Sequence, residues 1–142
     1  MDTVQQLLDS KGYDIWSITP DATVYQAIEM MSDKGCGALL VMSGQKLEGI
    51  ISERDYARKV ILAGRSSKSM KVREIMTTSV VTVKSSHRVD QCLSMMTEKR
   101  IRHLPVVDDN KVVGMMSIGD LVKAIIAKQA FLIAQLEEYI KQ

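Results

Sequence analysis

The chain contains one 32-residue pattern twice, and this internal duplication constrains the fold more strongly than any other feature of the sequence. When Val24–Asp55 is compared with Val89–Asp120, at a constant offset of 65, 11 positions are identical and no gap is required. Two unrelated segments of ordinary composition would share about two identical positions. Repetition at a fixed period indicates that one structural unit is built more than once. We therefore expect two similar units within the 142 residues.

Each copy carries the same order of secondary-structure signals. A short apolar strand, Ile15–Ile18 or Val80–Val83, precedes a polar turn and a helix with apolar residues at the i, i+3, i+4, i+7 spacing of one buried face. Two further strands follow, separated by the tight turns SGQK and DDNK, and a second helix begins near Arg54 or Gly119. The predicted fold class is α/β (α+β), with two β-α-β-β-α repeats packed in pseudo-twofold symmetry.

The repeat also predicts how the chain divides. Residues 1–70 are assigned to the first repeat, with an N-terminal helix and the linker Ala63–Ser69, and residues 71–127 to the second repeat. Residues 128–142 continue the last helix as an amphipathic C-terminal helix, which could pack within the chain or form a dimer contact. Because about 50 residues bury too little surface to be stable alone, the parts are expected to form one module.

Composition and charge argue against several function classes. The net charge is +2 and only six residues are aromatic, so neither a basic patch nor a stacking platform for nucleic acid is expected. No apolar run approaches the ~20 residues that cross a bilayer, and the N-terminus lacks the features of a signal peptide. We therefore expect a cytoplasmic protein without membrane contact. Cys36 and Cys92 lie among apolar residues, and buried thiols are expected there.

The heptads GIISERD and GMMSIGD, which end the 32-residue pattern, are the strongest candidates for chemistry. In each of them a serine, Ser52 or Ser117, stands where a strand becomes a helix, and an aspartate, Asp55 or Asp120, follows three residues later. This spacing predicts a capping box. A helix N-terminus is also a site for anions, and a carboxylate one turn into the helix can accept hydrogen bonds from a ribose diol. The two interpretations are compatible. The glycine of each heptad permits either close packing or room for a ligand.

Two such repeats, each ending in G-h-h-S/T-x-x-D (h is an apolar residue), resemble the tandem cystathionine-β-synthase (CBS) domain pair. The segment RHLPVVD, Arg102–Asp108, is similar to the middle strand of that family, and the helical tail resembles that of stand-alone bacterial CBS-pair proteins. The resemblance implies a regulatory module that binds an adenosine-containing ligand, such as AMP, ADP, ATP, NAD or S-adenosylmethionine, in two clefts between the repeats. It also implies a homodimer and an effector protein that is not identified by the sequence.

The resemblance further implies two sets of ligand-binding residues, one for each cleft. The first cleft would use Ser52, Arg54, Asp55, Val81, Thr82, Arg102, His103 and Pro105. The second would use Ser117 and Asp120, with a wall formed by Ile15, Trp16, Ser17, Gly37 and Ala38. Because Arg102 and His103 align with Gly37 and Ala38, the first cleft is expected to be the more positive and to favour the more highly phosphorylated ligand.

Several alternatives stay open at this stage. His103 could contact a phosphate or be structural, and Trp16 could contact adenine or pack against the protein. No metal-ligand spacing and no catalytic constellation is found, so neither a metal, a catalytic cofactor nor an enzyme activity is expected. The leading function is an adenosine-nucleotide sensor that signals through conformation or dimer geometry. The second is a constitutive interaction module whose clefts no longer bind ligand.

Overall fold

A computed structural model describes residues 2–141 as two compact units. The helices are α1 (Val4–Lys11), α2 (Val24–Lys34), α3 (Glu53–Tyr56), α4 (Val89–Lys99) and α5 (Ile118–Lys141). The strands are β1 (Ser17–Ile18), β2 (Ala38–Ser43), β3 (Lys46–Ser52), β4 (His103–Asp108) and β5 (Lys111–Ser117). A π-helical turn, Ala57–Ile61, continues α3, and Val72–Glu74 forms a 3₁₀ turn. The α+β class and the long C-terminal helix are confirmed.

The unit formed by residues 15–81, here called the first-repeat unit, contains a three-stranded sheet in the order β1-β2-β3. Strand β1 pairs with β2 in parallel, and β2 pairs with β3 antiparallel. Helix α2 begins at the N-cap Thr23, whose hydroxyl accepts a hydrogen bond from the Gln26 amide at 3.1 Å. Its buried face then packs on the sheet. The resulting core contains Val24, Ala27, Met31, Leu39, Val41, Ile51, Val60, Met70, Val72 and Ile75.

The second-repeat unit consists of residues 2–14 together with residues 82–141. Its strands β4 and β5 pair antiparallel, and the register shifts between Val106 and Val107 as it does between Val41 and Met42 in the first-repeat unit. Burial of the Cys92 side chain raises the pKa of its thiol to about 11. Cys92 is therefore protonated at neutral pH, as a structural thiol should be. The other cysteine, Cys36, is only half-buried.

The opening strands are shorter than the sequence predicted. Only Ser17 and Ile18 of the predicted segment Ile15–Ile18 pair as a strand, and in Val80–Val83 only Val83 forms a bridge, with Val106. A run of apolar residues predicts burial as readily as strand pairing. Val83 is buried and donates its amide hydrogen to the Pro105 carbonyl at 3.1 Å. The segment is therefore packed into its unit although it forms few strand-to-strand hydrogen bonds.

The segments that lead into the two copies are exchanged between the units. Helix α1 precedes the first repeat, yet the amides of Val4 and Gln5 donate to carbonyls of the second-repeat turn, at His87 and Ser85. The segment before the second repeat makes the corresponding bonds in the first-repeat unit, where Val72 donates to the Ala22 carbonyl at 2.8 Å. The compact units of the structure thus differ from the consecutive division at residue 70 that the sequence suggested.

Candidate ligand-binding site

In the first-repeat unit, the heptad turn is a closed capping box. Strand β3 ends at Ser52, and the Ser52 hydroxyl accepts the Asp55 amide hydrogen at 3.2 Å. In return, Asp55 Oδ2 accepts from the Ser52 amide at 3.0 Å and from the Ser52 hydroxyl at 3.1 Å. The capping box predicted from the S-x-x-D spacing is therefore confirmed here. It holds the carboxylate at the first turn of the helix, where backbone N–H groups make the potential positive.

The second-repeat unit builds the same turn at an offset of 65 residues. Ser117 ends β5, and its hydroxyl accepts the Asp120 amide hydrogen at 3.2 Å. Asp120 Oδ2 accepts from the Ser117 amide at 2.8 Å. Both Asp55 and Asp120 are half-buried, so their carboxylates are fixed by the backbone but still reach solvent. The duplicated heptads thus give two equivalent turns.

A lysine neutralises each of these aspartates, and the two lysines come from different places. Lys59, one turn later in the same helical segment, lies 3.0 Å from Asp55 Oδ1 and donates to the Ile75 carbonyl at 2.8 Å. In the other unit, Lys11 of α1 donates to Asp120 Oδ2 at 2.8 Å and to the Met115 carbonyl at 2.7 Å. The residue that corresponds to Lys59 in the second copy is Ala124. The two turns are therefore alike in backbone but differ in the origin of their positive charge.

Neither lysine was predicted from the sequence. The i, i+4 spacing of Asp55 and Lys59 is a recognisable sequence signal for an ion pair on a helix. Lys11 and Asp120 are 109 residues apart, and no local pattern connects them. Their contact depends on α1 belonging to the second-repeat unit, which only the structure shows.

The glycine of each heptad is explained by close packing. A Cβ atom on Gly49 would lie 2.7 Å from the Thr77 carbonyl oxygen, and one on Gly114 would lie 2.9 Å from two methyl carbons of Leu8. Each glycine thus lets the segment that leads into one copy pack closely on the last strand of the other copy. Of the two possibilities that the sequence left open, the contacts support close packing.

The middle strand of each repeat lies beside the heptad of the same repeat. Ser52 is opposite Ala38 in the β2–β3 register, and the Glu53 amide donates to the Gly37 carbonyl at 3.1 Å. In the second-repeat unit, Ser117 is opposite His103, and the Ile118 amide donates to the Arg102 carbonyl at 2.8 Å.

Within a unit, Arg102 and His103 are therefore neighbours of Ser117. From the sequence they were grouped with Ser52 instead, because the pairing of β4 with β5 was not considered there. The two complete ligand-binding sets combine residues of both units, and they remain predictions.

The remaining predicted site residues differ in exposure. Trp16 is exposed, and the Lys34 ammonium lies 4.4 Å from the centre of its ring, which is a cation–π contact. Pro105 is buried within β4, opposite Met115. Ile15 and Val81 are half-buried, whereas Ser17, Arg54 and Thr82 are exposed.

Beside the second heptad, both Asp120 and His103 have shifted pKa values. Burial acts to raise the pKa of Asp120, but the hydrogen bonds from Lys11 and the Ser117 amide outweigh it, so that the pKa lies below its usual value. Burial lowers the pKa of His103, and the positive charges of Arg102 and Lys11 act in the same direction, against the attraction of Asp120. The neutral imidazole is therefore favoured in the folded protein.

We expect the stability of this unit to fall when the pH is lowered from 7.5 to 5. In the unfolded chain a histidine takes up a proton near pH 6.5, whereas folded His103 resists protonation. The stability due to neutral His103 is thus complete above pH 6.5 and decreases below it. The contribution of the Asp120 carboxylate to stability is lost only when the pH falls below 3.8, the usual pKa of an aspartate. Urea unfolding at both pH values should show a smaller pH effect in His103→Gln than in the unsubstituted protein, and equal effects would contradict the assignment.

Within residues 2–141, no three His, Cys, Asp or Glu side chains are grouped so that they could hold a metal ion. Among the helices of the same residues, none has both the length and the apolar character needed to cross a membrane. Each heptad turn presents a carboxylate, a serine hydroxyl and a lysine ammonium at a helix N-terminus, and these groups act through hydrogen bonding and charge.

Comparison with known proteins agrees with the repeated architecture. The family model described as "CBS domain" matches residues 10–61 and 72–127. The CBS domain-containing protein CBSX3, mitochondrial, of Arabidopsis thaliana is 42% identical, over 98% of this chain and 72% of its own length. A solved structure of a protein with CBS domains from Burkholderia ambifaria is 52% identical with a TM-score of 0.87, covering 89% of this chain and 96% of the other.

One similar structure contains ligands. The CBS domain pair of the protein MJ0100, in complex with 5′-methylthioadenosine and S-adenosyl-L-methionine, is 26% identical to this chain with a TM-score of 0.77. The similarity covers 89% of this chain and 97% of that domain pair. Both of those ligands contain adenosine.

Proposed function

The chain belongs to the CBS domain family, and on this premise we propose that it is a regulatory module that binds an adenosine-containing ligand at its two heptad turns. Binding would be passed on through a change in conformation or in dimer geometry to an effector protein. Such signalling requires that the ligand bind two arrangements of the protein with different affinities. The proposed ligands are AMP, ADP, ATP and NAD, and the proposed state and location are a homodimer in the cytoplasm.

The observation that carries this proposal is the duplicated capping-box turn with its half-buried aspartate. In the second-repeat unit, the bonds from Lys11 and the Ser117 amide both fall on Asp120 Oδ2. Asp120 is only half-buried, so its carboxylate reaches solvent and can accept a hydrogen bond from a ribose hydroxyl while the cap is kept. The MJ0100 domain pair supports the ligand class, since both of its ligands carry a ribose.

A second candidate function is a constitutive interaction module. Its support is that both aspartates already have a cationic partner, Lys59 for Asp55 and Lys11 for Asp120. A ribose that approached either carboxylate would have to share it with an ammonium group or displace that group. If the ion pairs are too stable for this, the turns are purely structural.

Thermal unfolding with a panel of ligands separates the two functions. The panel contains AMP, ADP, ATP, NAD and S-adenosylmethionine, with GMP as the control for the base. A ligand at 100 times its dissociation constant stabilises the folded state by about 2.7 kcal/mol, which raises the midpoint of a chain of this size by several degrees. We expect such a shift for at least one adenosine ligand and none for GMP. Absence of any shift, in protein that mass spectrometry shows to be free of nucleotide, would favour the interaction module.

Substitution of the two aspartates tests the site itself. Asp55→Asn and Asp120→Asn keep an oxygen that can accept the capping hydrogen bond but remove the charge that a diol prefers. We expect at least a tenfold loss of affinity at the substituted turn, measured by calorimetric titration, with an unchanged circular dichroism spectrum. Asp33→Asn, at an exposed position of α2, is the matched control and should bind as the unsubstituted protein does. Unchanged binding in both heptad variants would refute the assignment of these carboxylates.

A further inference from the structure

Helix α5 carries a large apolar surface that the described chain leaves uncovered. Near its start the helix is packed within the second-repeat unit, where Leu121 and Ala124 are buried. Farther along, 56% of Ile133, 61% of Leu136 and 79% of Ile140 is exposed. Val122, Ile126, Phe131, Leu132 and Tyr139 are exposed as well. Single exposed apolar residues are ordinary, but a contiguous surface of this kind indicates an interaction site.

This surface has the period of a coiled coil. Alternating steps of four and three residues connect a row that we call the C-terminal seam: Val122, Ile126, Gln129, Ile133, Leu136 and Ile140. Positions a of the heptad are isoleucine throughout, and positions d are valine, glutamine and leucine. A strict spacing of this kind is the pattern of a helix that packs against another helix. Most of the seam lies beyond residue 127, where the family match ends, so it is not explained by that match.

We propose that the C-terminal seam binds the same seam of a second copy in antiparallel orientation. Charge complementarity decides the orientation. In an antiparallel pair, each a position lies opposite a d position of the other copy, and the flanking e positions of the two copies face each other. The e positions here are Lys123, Ala130 and Glu137. Lys123 of each copy therefore lies beside Glu137 of the other copy. Ala130, at the centre of the seam, faces the same residue of the other copy. The flanking g positions, Ile125, Leu132 and Tyr139, form the other, wholly apolar edge.

A parallel pair would use the same residues less well. Flanking e positions would then face g positions, which would place Glu137 beside Leu132 and leave Lys123 without an acidic neighbour across the interface. The charges on the seam therefore favour the antiparallel pair over the parallel pair.

The length of the seam is compatible with a dimer that depends on concentration. Residues 122–140 extend for about 27 Å at 1.5 Å per residue, which is fewer than three heptads. Because the packed start of α5 already anchors the helix in its unit, association does not have to meet the cost of helix nucleation. This inference specifies the dimer within the proposed function, but it depends on α5 alone and does not require a ligand.

Sedimentation velocity over a range of concentrations tests the interface with a matched pair of variants. Ile133→Glu places a charge at the centre of the seam, whereas Ala134→Glu places the same charge on the outer face, one residue away. Both positions are exposed, so neither change should affect the folding of the unit. We expect a dimer for the unsubstituted protein and for Ala134→Glu, and at least a tenfold weaker dimer for Ile133→Glu. A monomer at all concentrations, or a dimer that Ile133→Glu leaves unchanged, would overturn the proposal.

Reversal of the flanking charges tests the orientation. Lys123→Glu and Glu137→Lys should each weaken the dimer, and the double variant should restore it, because the antiparallel pair then regains both ion pairs with reversed sign. A double variant as weak as the single variants would exclude the antiparallel arrangement.

Two controls distinguish this proposal from others. Vesicles of phosphatidylcholine and phosphatidylglycerol test a lipid surface as the occupant of the seam. A protein that remains monomeric and binds vesicles, with binding lost in Ile133→Glu, would overturn the dimer in favour of the lipid. The thermal shift by adenosine ligands is measured in Ile133→Glu as well, so that failure of the dimer and failure of ligand binding are observed separately.

Discussion

Leu8→Ala should lower the free energy of unfolding of the second-repeat unit by about 2–5 kcal/mol, the usual cost of truncating a buried leucine. Leu8 of α1 is fully buried, and its methyl groups pack on Gly114 of β5. The strand has a glycine at this position, so no neighbouring side chain stands there to fill the cavity that the alanine would leave. Urea unfolding followed by circular dichroism measures the effect.

The control for this prediction is Ser10→Ala in the same helix. Ser10 is exposed, and alanine is a good helix former, so stability should change by less than about 0.5 kcal/mol. If the two variants were equally stable, α1 would not be part of the core of the second-repeat unit. The result therefore also tests the exchange of leading segments between the two repeats.

The duplicated pattern predicted most elements because their signals are local. The apolar spacing in Val24–Asp55 and Val89–Asp120 predicted α2 and α4, and the structure confirms both at the same offset of 65 residues. The two helices also end in the same way, because the residue that follows each of them has a left-handed backbone conformation. This residue is Gly35 after α2 and Arg100, with a φ of 55°, after α4. Periodicity and turn chemistry act over a few residues, which is why a sequence can reveal them.

The exchange of the leading segments could not be predicted in this way. TVQQLL and KVREIM resemble each other, and each was expected to lead into the copy that follows it. These two segments bond to backbone groups of the turns near Ala22 and His87, and every residue has such backbone groups whatever its side chain. Backbone hydrogen bonds carry no residue-specific signal, so the pairing of a segment with the distant copy is visible only in three dimensions.

The candidate site shows the same division between local and distant signals. The S-x-x-D spacing predicted both capping boxes, because Ser52 and Asp55 are in contact along the chain. The lysine that neutralises Asp120 comes from α1, and its proximity follows from tertiary packing alone. For the same reason, the position of His103 beside Ser117 follows from the pairing of β4 with β5 and was not inferred from the heptads.

Gly49→Ala should cost about 1–3 kcal/mol of stability, the range typical of overpacking in a tight region. The new methyl group would lie 2.7 Å from the Thr77 carbonyl oxygen, a backbone atom that cannot rotate away. That carbonyl also accepts the Ile50 amide hydrogen at 3.0 Å, and the Thr77 amide donates back to Ile50 at 2.9 Å. Relief of the clash would stretch this pair of hydrogen bonds. The measurement is again the urea midpoint.

Gly114→Ala is the matched control, since it is the same substitution at the equivalent position of the other repeat. Its methyl group would meet side-chain carbons of Leu8 at 2.9 Å. A leucine side chain can shift by a few tenths of an ångström, whereas the Thr77 backbone, held to Ile50 by a pair of hydrogen bonds, cannot. Replacing a strand glycine also removes its excess entropy in the unfolded chain, a gain of roughly 0.5–1 kcal/mol in both variants. We therefore expect Gly114→Ala to be the milder change. An equal loss in both variants would mean that the Leu8 contact is as rigid as the Thr77 backbone.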